Sequence, residues 1–259
     1  MMKTPIVLSA FGTTSRALDT YAFMDGIVRE KFPDHDIRWA YTSRIVRHRL
    51  KGDSAAKVKH PSTVLDELFE QGYPWAVVQS MHLTWGHEFY RLVGDADQSD
   101  IRTSMGLPLL TAYDDYLKVS RALSLEISSD PQQATVLVGH GTDHPAWTSY
   151  LALDTILKNE YGPGIHVGVV DKEPSKDLLI EKLARSGVRQ VSLIPLMLVA
   201  GVHVAEDLNG DEDSWKNAFN ERDIAVTVTE KGVGYNPKIV DIFVDHIQQA
   251  LDLIPGSDQ

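Results

Sequence analysis

Three polar residues stand at or just beyond the ends of short aliphatic runs. His140 follows residues 134–139 (ATVLVG), Asp171 follows residues 165–170 (IHVGVV), and His203 follows residues 190–195 (QVSLIP) and the apolar stretch LMLVAGV. Each run reads as a buried strand, and in an open parallel sheet ligands bind beyond the carboxyl ends of the strands. Two imidazoles and a carboxylate at one sheet edge suit a first-row divalent metal. Gly139 and Gly141 flank His140 and let the backbone approach a ligand closely. Taken singly, each residue has a plainer reading. A histidine at a strand end is commonly a hydrogen-bonded structural residue, and Asp171 could cap a helix that starts after Pro174. Those readings leave unexplained why all three fall at one edge.

Composition narrows the chemistry. The chain has 259 residues and no cysteine, which excludes disulfides, thiolate metal sites, iron–sulfur ligation and cysteine nucleophiles. A metal site must then rest on imidazole and carboxylate, a donor set for cobalt, iron, nickel or zinc. The net charge of −11 argues against a nucleic-acid partner, and a polyanionic ligand would need locally concentrated Arg or Lys. No apolar run approaches the roughly 20 residues that span a bilayer. The N-terminus lacks the longer apolar core and cleavage site of a secretory signal, so a cytoplasmic location is expected.

Competing motifs are absent or incomplete. There is no phosphate-cradling loop of the form GxxxxGK[ST], and residues 231–234 (KGVG) are too short for a dinucleotide fingerprint. Ser9 and Ser80 have no nucleophile-elbow context. The acidic residues 207–213 lack the Gly and Glu of a calcium loop and read as an exposed loop, with Ser214 capping the helix through Trp215. Residues 42–51 (TSRIVRHRLK) are the most basic stretch of this acidic chain. Such a run is commonly a solvated helix face, but Arg44 and Arg47 at a spacing of three could hold a carboxylate-rich ligand.

The elements that would position these residues alternate between short β-branched runs and longer amphipathic stretches, the grammar of βα units around a parallel sheet. Strands are expected at residues 5–10, 36–41, 75–80 and 101–107, with helices at 16–32, 63–71 and 114–127. The pattern then restarts, with strands at 134–139, 165–170, 190–195 and 224–229 and helices at 147–158, 176–186 and 237–253. The best lobe boundary is the break at 128–133 (SSDPQQ), giving an N-terminal α/β lobe over residues 1–130 and a C-terminal lobe over 131–259 that carries the metal site. Residues 10–13 (AFGT) lie over residues 139–142 (GHGT) at an offset of 129, and residues 77–87 over 193–203 at an offset of 116. A duplicated α/β unit accounts for both matches, although strand–loop–helix grammar alone makes any two such halves align loosely.

The motifs GHGTDH (139–144), PLMLVAGVH (195–203) and DEDSWK (211–216) resemble the anaerobic sirohydrochlorin cobaltochelatases of the CbiK type. SAFGTT (9–14), YTSR (41–44) and QSMH (79–82) fit the same pattern, and the likeness runs through nearly the whole chain in order. The resemblance implies a ferrochelatase-like fold of two similar Rossmann-like α/β lobes, with parallel sheets flanked by helices and the active-site cleft between the lobes. It implies that His140 and His203 are the catalytic, metal-binding and proton-accepting imidazoles. Asp171 stands where the family has Glu, one methylene longer, and Glu173 could compensate. Substrate contacts are expected from Phe11, Thr13, Thr14, Arg44, His82, His87 and Glu88. His87 replaces a more usual acidic residue, either as an accessory metal contact or as a plain surface residue.

The implied activity is ATP-independent insertion of Co(II) into sirohydrochlorin in anaerobic cobalamin biosynthesis, a lyase-class metal chelation. The metal is then a substrate, no nucleotide takes part, and sirohydrochlorin, a polycarboxylate tetrapyrrole, is the partner. Nucleic acid and membrane are not expected partners, and self-association into a homo-oligomer is left open. The same ligands bind ferrous or nickel ion, so iron insertion toward siroheme is an alternative, as is a non-catalytic carrier of tetrapyrrole or metal.

Overall fold

The structure, a computed structural model, describes residues 3–12, 18–43, 59–201 and 204–256. The aliphatic runs are strands: β1 (Ile6–Ala10), β2 (Ile37–Tyr41), β3 (Trp75–Ser80), β4 (Arg102–Gly106), β5 (Gln133–Gly139), β6 (Ile165–Val169), β7 (Gln190–Pro195) and β8 (Ala225–Val228). Every residue of β1 and of β6 is buried, as expected for strands covered by helices on both faces. The described helices are α1 (Leu18–Lys31), α2 (Pro61–Glu70), α3 (His87–Asp97), α4 (Tyr113–Ala122), α5 (Thr148–Tyr161), α6 (Lys176–Arg185), α7 (Trp215–Asn220) and α8 (Pro237–Asp252). Among the described residues, no helix is long and apolar enough to cross a membrane.

The strands form two parallel sheets of the same order, β2-β1-β3-β4 and β6-β5-β7-β8. In each, the chain leaves the central pair first to one side and then to the other. That reversal opens a crevice beyond the carboxyl ends of β1 and β3 and, in the second sheet, of β5 and β7. The α/β architecture of two parallel sheets read from the sequence is the one observed.

Residue contacts divide the chain into two units. The first comprises Met1–Thr14, Tyr21–Thr111 and Val240–Gln259, and the second Ser15–Thr20 and Ala112–Ile239. In the first unit, Val7, Ala40, Ala76 and Val78 of the sheet pack with Val64, Leu65 and Leu68 of α2 and Leu92 and Ala96 of α3. In the second, Ala134, Val136, Val138, Val191 and Leu193 pack with Ile180 and Leu183 of α6 and Trp215 and Phe219 of α7. Each fully buried Leu or Phe contributes about 1.5–3 kcal/mol by leaving water.

A break at residue 130 parts the strands β1–β4 from β5–β8 but does not part the helices. α4 belongs to the second unit: the Ser120 hydroxyl donates to Glu160, and the Tyr161 hydroxyl donates to the Ser120 carbonyl at 3.2 Å. Most of α8 belongs to the first, where the Ala250 carbonyl accepts from Ser104 at 2.6 Å and His246 Nδ1 meets the Leu107 carbonyl at 2.9 Å.

Two helices differ from expectation. α3 has no counterpart in the sequence reading, where Gly94 and the acidic residues around it mask an i, i+4 apolar pair, Leu92 and Ala96. The helix expected over 114–127 stops at Ala122, and a separate 3₁₀ turn, Ser124–Glu126, follows. The start of α4 is secured by Asp115, whose carboxylate accepts from the Ala112 N–H at 2.8 Å.

Candidate functional site: the carboxyl edge of the second sheet

β5 delivers His140 to the crevice of the second sheet. The strand is buried up to Gly139, and His140, the next residue, is exposed. Its Nδ1 lies 3.2 Å from the Gly141 carbonyl. With Nδ1–H donating there, Nε2 carries the lone pair that a metal ion or a proton can take.

The flanking glycines have packing reasons. A Cβ at Gly139 would come within 2.4 Å of the Tyr150 ring. Gly141 has φ of +91°, in the left-handed region, and a Cβ there would sit 1.7 Å from the Asp171 carbonyl oxygen. Tyr150, on α5, closes the turn: its buried hydroxyl accepts from the Gly141 N–H at 3.4 Å.

The same turn brings Asp171 to His140. The Asp171 N–H donates to the His140 carbonyl at 3.0 Å, one step beyond the Val170-to-Gly139 bond at 2.9 Å. The Asp171 carboxylate is exposed and lies 3.8 Å from the Lys172 ammonium. It does not cap the next helix. Ser175 does so for α6, with its Oγ accepting from the Leu178 N–H. Glu173, the possible substitute ligand, is engaged locally, accepting from the Ser175 N–H at 2.8 Å.

His203, the third expected ligand, lies outside the described residues, as do Thr13, Thr14 and Arg44. Among the described residues, no group of three His, Asp or Glu side chains is placed to hold a metal ion. The loop after β7 that leads toward His203 is anchored. Leu196 N–H donates to the Val138 carbonyl at 2.8 Å, and the Met197 and Leu198 carbonyls accept from Val233 and Gly234 at 2.9 and 3.1 Å. A Cβ at Gly232 would come within 2.4 Å of the Met197 oxygen. The glycine-rich residues 232–234 thus hold this loop with N–H groups that a phosphate would otherwise need. The exposed loop expected over residues 207–213 holds only in part: Val204–Leu208 form a π-helical turn with Leu208 buried in the core, and residues 211–213 are exposed, Asp213 pairing with Lys176 at 2.6 Å. Ser214 caps α7 by accepting from the Asn217 N–H at 3.0 Å.

At the corresponding edge of the first sheet stand Phe11, His82, His87 and Glu88. Phe11 is 49% exposed although all of β1 before it is buried. Glu88, in the first turn of α3, accepts from the Thr42 hydroxyl at 2.9 Å and pairs with Arg91. His82 Nδ1 lies 2.9 Å from the Ser80 hydroxyl, and its Nε2 is buried without a hydrogen-bond partner. Burial lowers the His82 pKa to about 4, against the opposing pull of Glu88, so the ring is neutral at pH 7. His87 is exposed at the start of α3.

The offset of 129 recurs in the hydrogen bonds. Gly12 has φ of +98° and Gly141 +91°. Gly12 makes a backbone hydrogen bond to the Tyr21 hydroxyl, as Gly141 does to that of Tyr150. Ser43 N–H donates to the Phe11 carbonyl at 3.1 Å, as Asp171 does to His140, the acceptors lying 129 residues apart and the donors 128. The second offset is corrected: Met81 bonds Ser9 as Leu196 bonds Val138, so β3 and β7 correspond at 115 residues, and the match at 116 is one residue out of step. The two tyrosines were missed, though both lie at the offset already visible from Phe11 and His140.

Residues 4–252 match the sequence model of the family described as Cobalt chelatase (CbiK). The chain is 36% identical over 226 residues to the sirohydrochlorin cobaltochelatase of Salmonella typhimurium, with 85% of each chain covered. It is 34% identical over 265 residues to the sirohydrochlorin cobaltochelatase CbiKC of Nitratidesulfovibrio vulgaris, covering 98% of this chain and 93% of that one. Among solved structures, SirB from Bacillus subtilis with Fe3+ matches 96% of both chains with a TM-score of 0.67 at 13% identity. CbiX, described as the terminal enzyme for biosynthesis of siroheme in denitrifying bacteria, matches 96% of this chain and 99% of that one with a TM-score of 0.55 at 13% identity. At that identity the two structures speak for the fold, while the sequence matches speak for descent. The chain belongs to the CbiK cobalt chelatase family.

Proposed function

We propose that this protein inserts Co(II) into sirohydrochlorin without a nucleotide, using residues of the second unit to handle the metal. The observation that carries the reading is the exposed His140 imidazole at the reversal point of the second sheet, tied through its own carbonyl to the residue that bears the Asp171 carboxylate. An imidazole offers one lone pair, enough to bind a dication or to accept a proton.

Insertion exchanges a dication for the inner pyrrole protons of the macrocycle, so the site must present the metal and remove those protons on the same face. His140 and His203 would hold the ion, with His140 accepting a pyrrole proton as general base. Asp171 would complete the ligand set or act through a bridging water, its carboxylate being one methylene shorter than glutamate. Phe11, His82, His87 and Glu88, together with Thr13, Thr14 and Arg44, are the proposed contacts to the tetrapyrrole. The Val233 and Gly234 N–H groups hold the loop after β7, so residues 231–234 do not offer them to a phosphate.

The test is an absorption assay of sirohydrochlorin with cobalt, ferrous or nickel ion at substoichiometric protein. Multiple turnovers with cobalt are expected, fastest of the three ions and without ATP. The His140→Ala variant should lose about a thousandfold in rate with unchanged circular dichroism, because the side chain is exposed. Stoichiometric binding without turnover would instead make the protein a carrier.

A further inference from the structure

We infer that Lys172 competes with the metal ion for the Asp171 carboxylate and so holds the metal affinity of the second unit down. The inference rests on the reading that His140 and Asp171 handle the metal, and adds a positioning residue to it. An exposed lysine beside an aspartate is ordinary, and such pairs contribute little to stability. The backbone makes this one informative.

Lys172 has φ of +72°, in the left-handed region. Among the described residues, the other non-glycine residues there are Asp213 and Asp223, a type whose short polar side chain tolerates that conformation. Lysine has no such local bond to make, and glycine would relieve the strain. What lysine adds is an ammonium group, and it lies 3.8 Å from Asp171 Oδ1. The turn on either side is fixed. The Asp171 N–H is bonded to the His140 carbonyl, and Glu173 accepts from the Ser175 N–H just before α6. Lys172 is thus kept beside the carboxylate, while both side chains stay more than half exposed. A pair so exposed is open to exchange: a dication can displace the ammonium, and the ammonium can return when the ion leaves. With the ion in place, Lys172 faces a second positive charge across one carboxylate. Screened by water and salt, that repulsion weakens cobalt binding by about threefold. A metal that is a substrate has to be given up, and tight ground-state binding does not speed its transfer.

The experiment titrates the metal-free protein with cobalt(II) at low ionic strength, for wild type, Lys172→Gln, Lys172→Gly and Lys172→Arg. The cobalt Kd should fall about threefold in Lys172→Gln and Lys172→Gly and keep its wild-type value in Lys172→Arg. The difference should vanish near 1 M salt, where charges are screened within about 3 Å. In steady-state insertion, the KM for cobalt and kcat should fall together in the same two variants. Only Lys172→Gly should raise thermal stability, because it alone relieves the backbone. Tighter cobalt binding in Lys172→Gly alone would assign the effect to the backbone and overturn the inference, as would unchanged or weaker binding in Lys172→Gln. Cobalt affinity that does not respond to His140→Ala would place the metal elsewhere and remove both the site reading and the role of Lys172. Charge-dependent tightening at a His140-dependent site, without insertion into sirohydrochlorin, would keep that role and remove the chelatase reading.

Discussion

The carboxyl ends of β1 and β5 are built alike and equipped differently. At both, a buried strand gives way to one exposed residue, then to a glycine in the left-handed region whose N–H is taken by a buried tyrosine on the following helix. At both, the exposed residue's carbonyl accepts from the residue just beyond the neighbouring strand. Yet one end carries Phe11 and Ser43 and the other His140 and Asp171. Backbone geometry is shared, while at these two positions only the second unit carries an imidazole and a carboxylate. The fold supplies a place for chemistry, and only the side chains mounted there decide what chemistry it is.

The sharpest way to break this comparison is to remove each glycine. Gly141→Ala should cost the second unit about 2 kcal/mol or more, from a left-handed alanine and from collision with the Asp171 carbonyl, and should also weaken cobalt binding because that carbonyl moves. Gly12→Ala carries the same conformational strain but should leave cobalt binding intact. Thermal unfolding and cobalt titration of both variants check this. Equal loss of cobalt binding in the two would mean that the units share the metal chemistry.

A smaller effect is expected from the tyrosines. Tyr150→Phe removes the acceptor for the Gly141 N–H without opening a cavity, and a bond of 3.4 Å is a weak one. Metal insertion at saturating sirohydrochlorin should slow by about threefold, a loss read from steady-state rates. Tyr21→Phe should instead act on sirohydrochlorin affinity. A reversed pattern would assign the roles of the units the other way round.

The gentlest test is acid. His82 in the first unit and His166 in the second both have pKa values lowered to about 4, chiefly by burial, with Lys158 and Lys182 adding to the effect at His166. Unfolded histidine titrates near 6.5, so the unfolded chain takes up these protons first. Their contribution to stability is whole above about pH 6.5 and is lost as the pH falls toward 4, on the order of 2 kcal/mol for each by pH 5. Urea unfolding at pH 7 and pH 5 should show the loss, and His166→Asn should reduce it.

What could be read from the sequence follows the physics of each feature. Strands buried on both faces are continuous aliphatic runs, so β1, β5 and β7 were visible from composition, and with them the position of His140 and Asp171. α3 was hidden because Gly94 and its acidic neighbours dilute a short apolar face, and with it went the setting of Glu88 between Thr42 and Arg91. Gly139 and Gly141 were recognised as necessary but for ligand approach, whereas their neighbours are the Tyr150 ring and the Asp171 backbone. Contacts between residues distant in sequence leave no local pattern. Only the repeat spacing carried a trace of them, and in β3 and β7 it was misread by one residue.

The central claim is that metal is received at His140 and not at the buried histidines. Nitrogen-15 spectra of the histidine side chains during cobalt(II) titration of the metal-free protein test it most directly. The His140 ring resonances should broaden at the lowest cobalt concentrations, with those of His82 and His166 unaffected. Early broadening at His82 or His166, with His140 unchanged, would contradict the account.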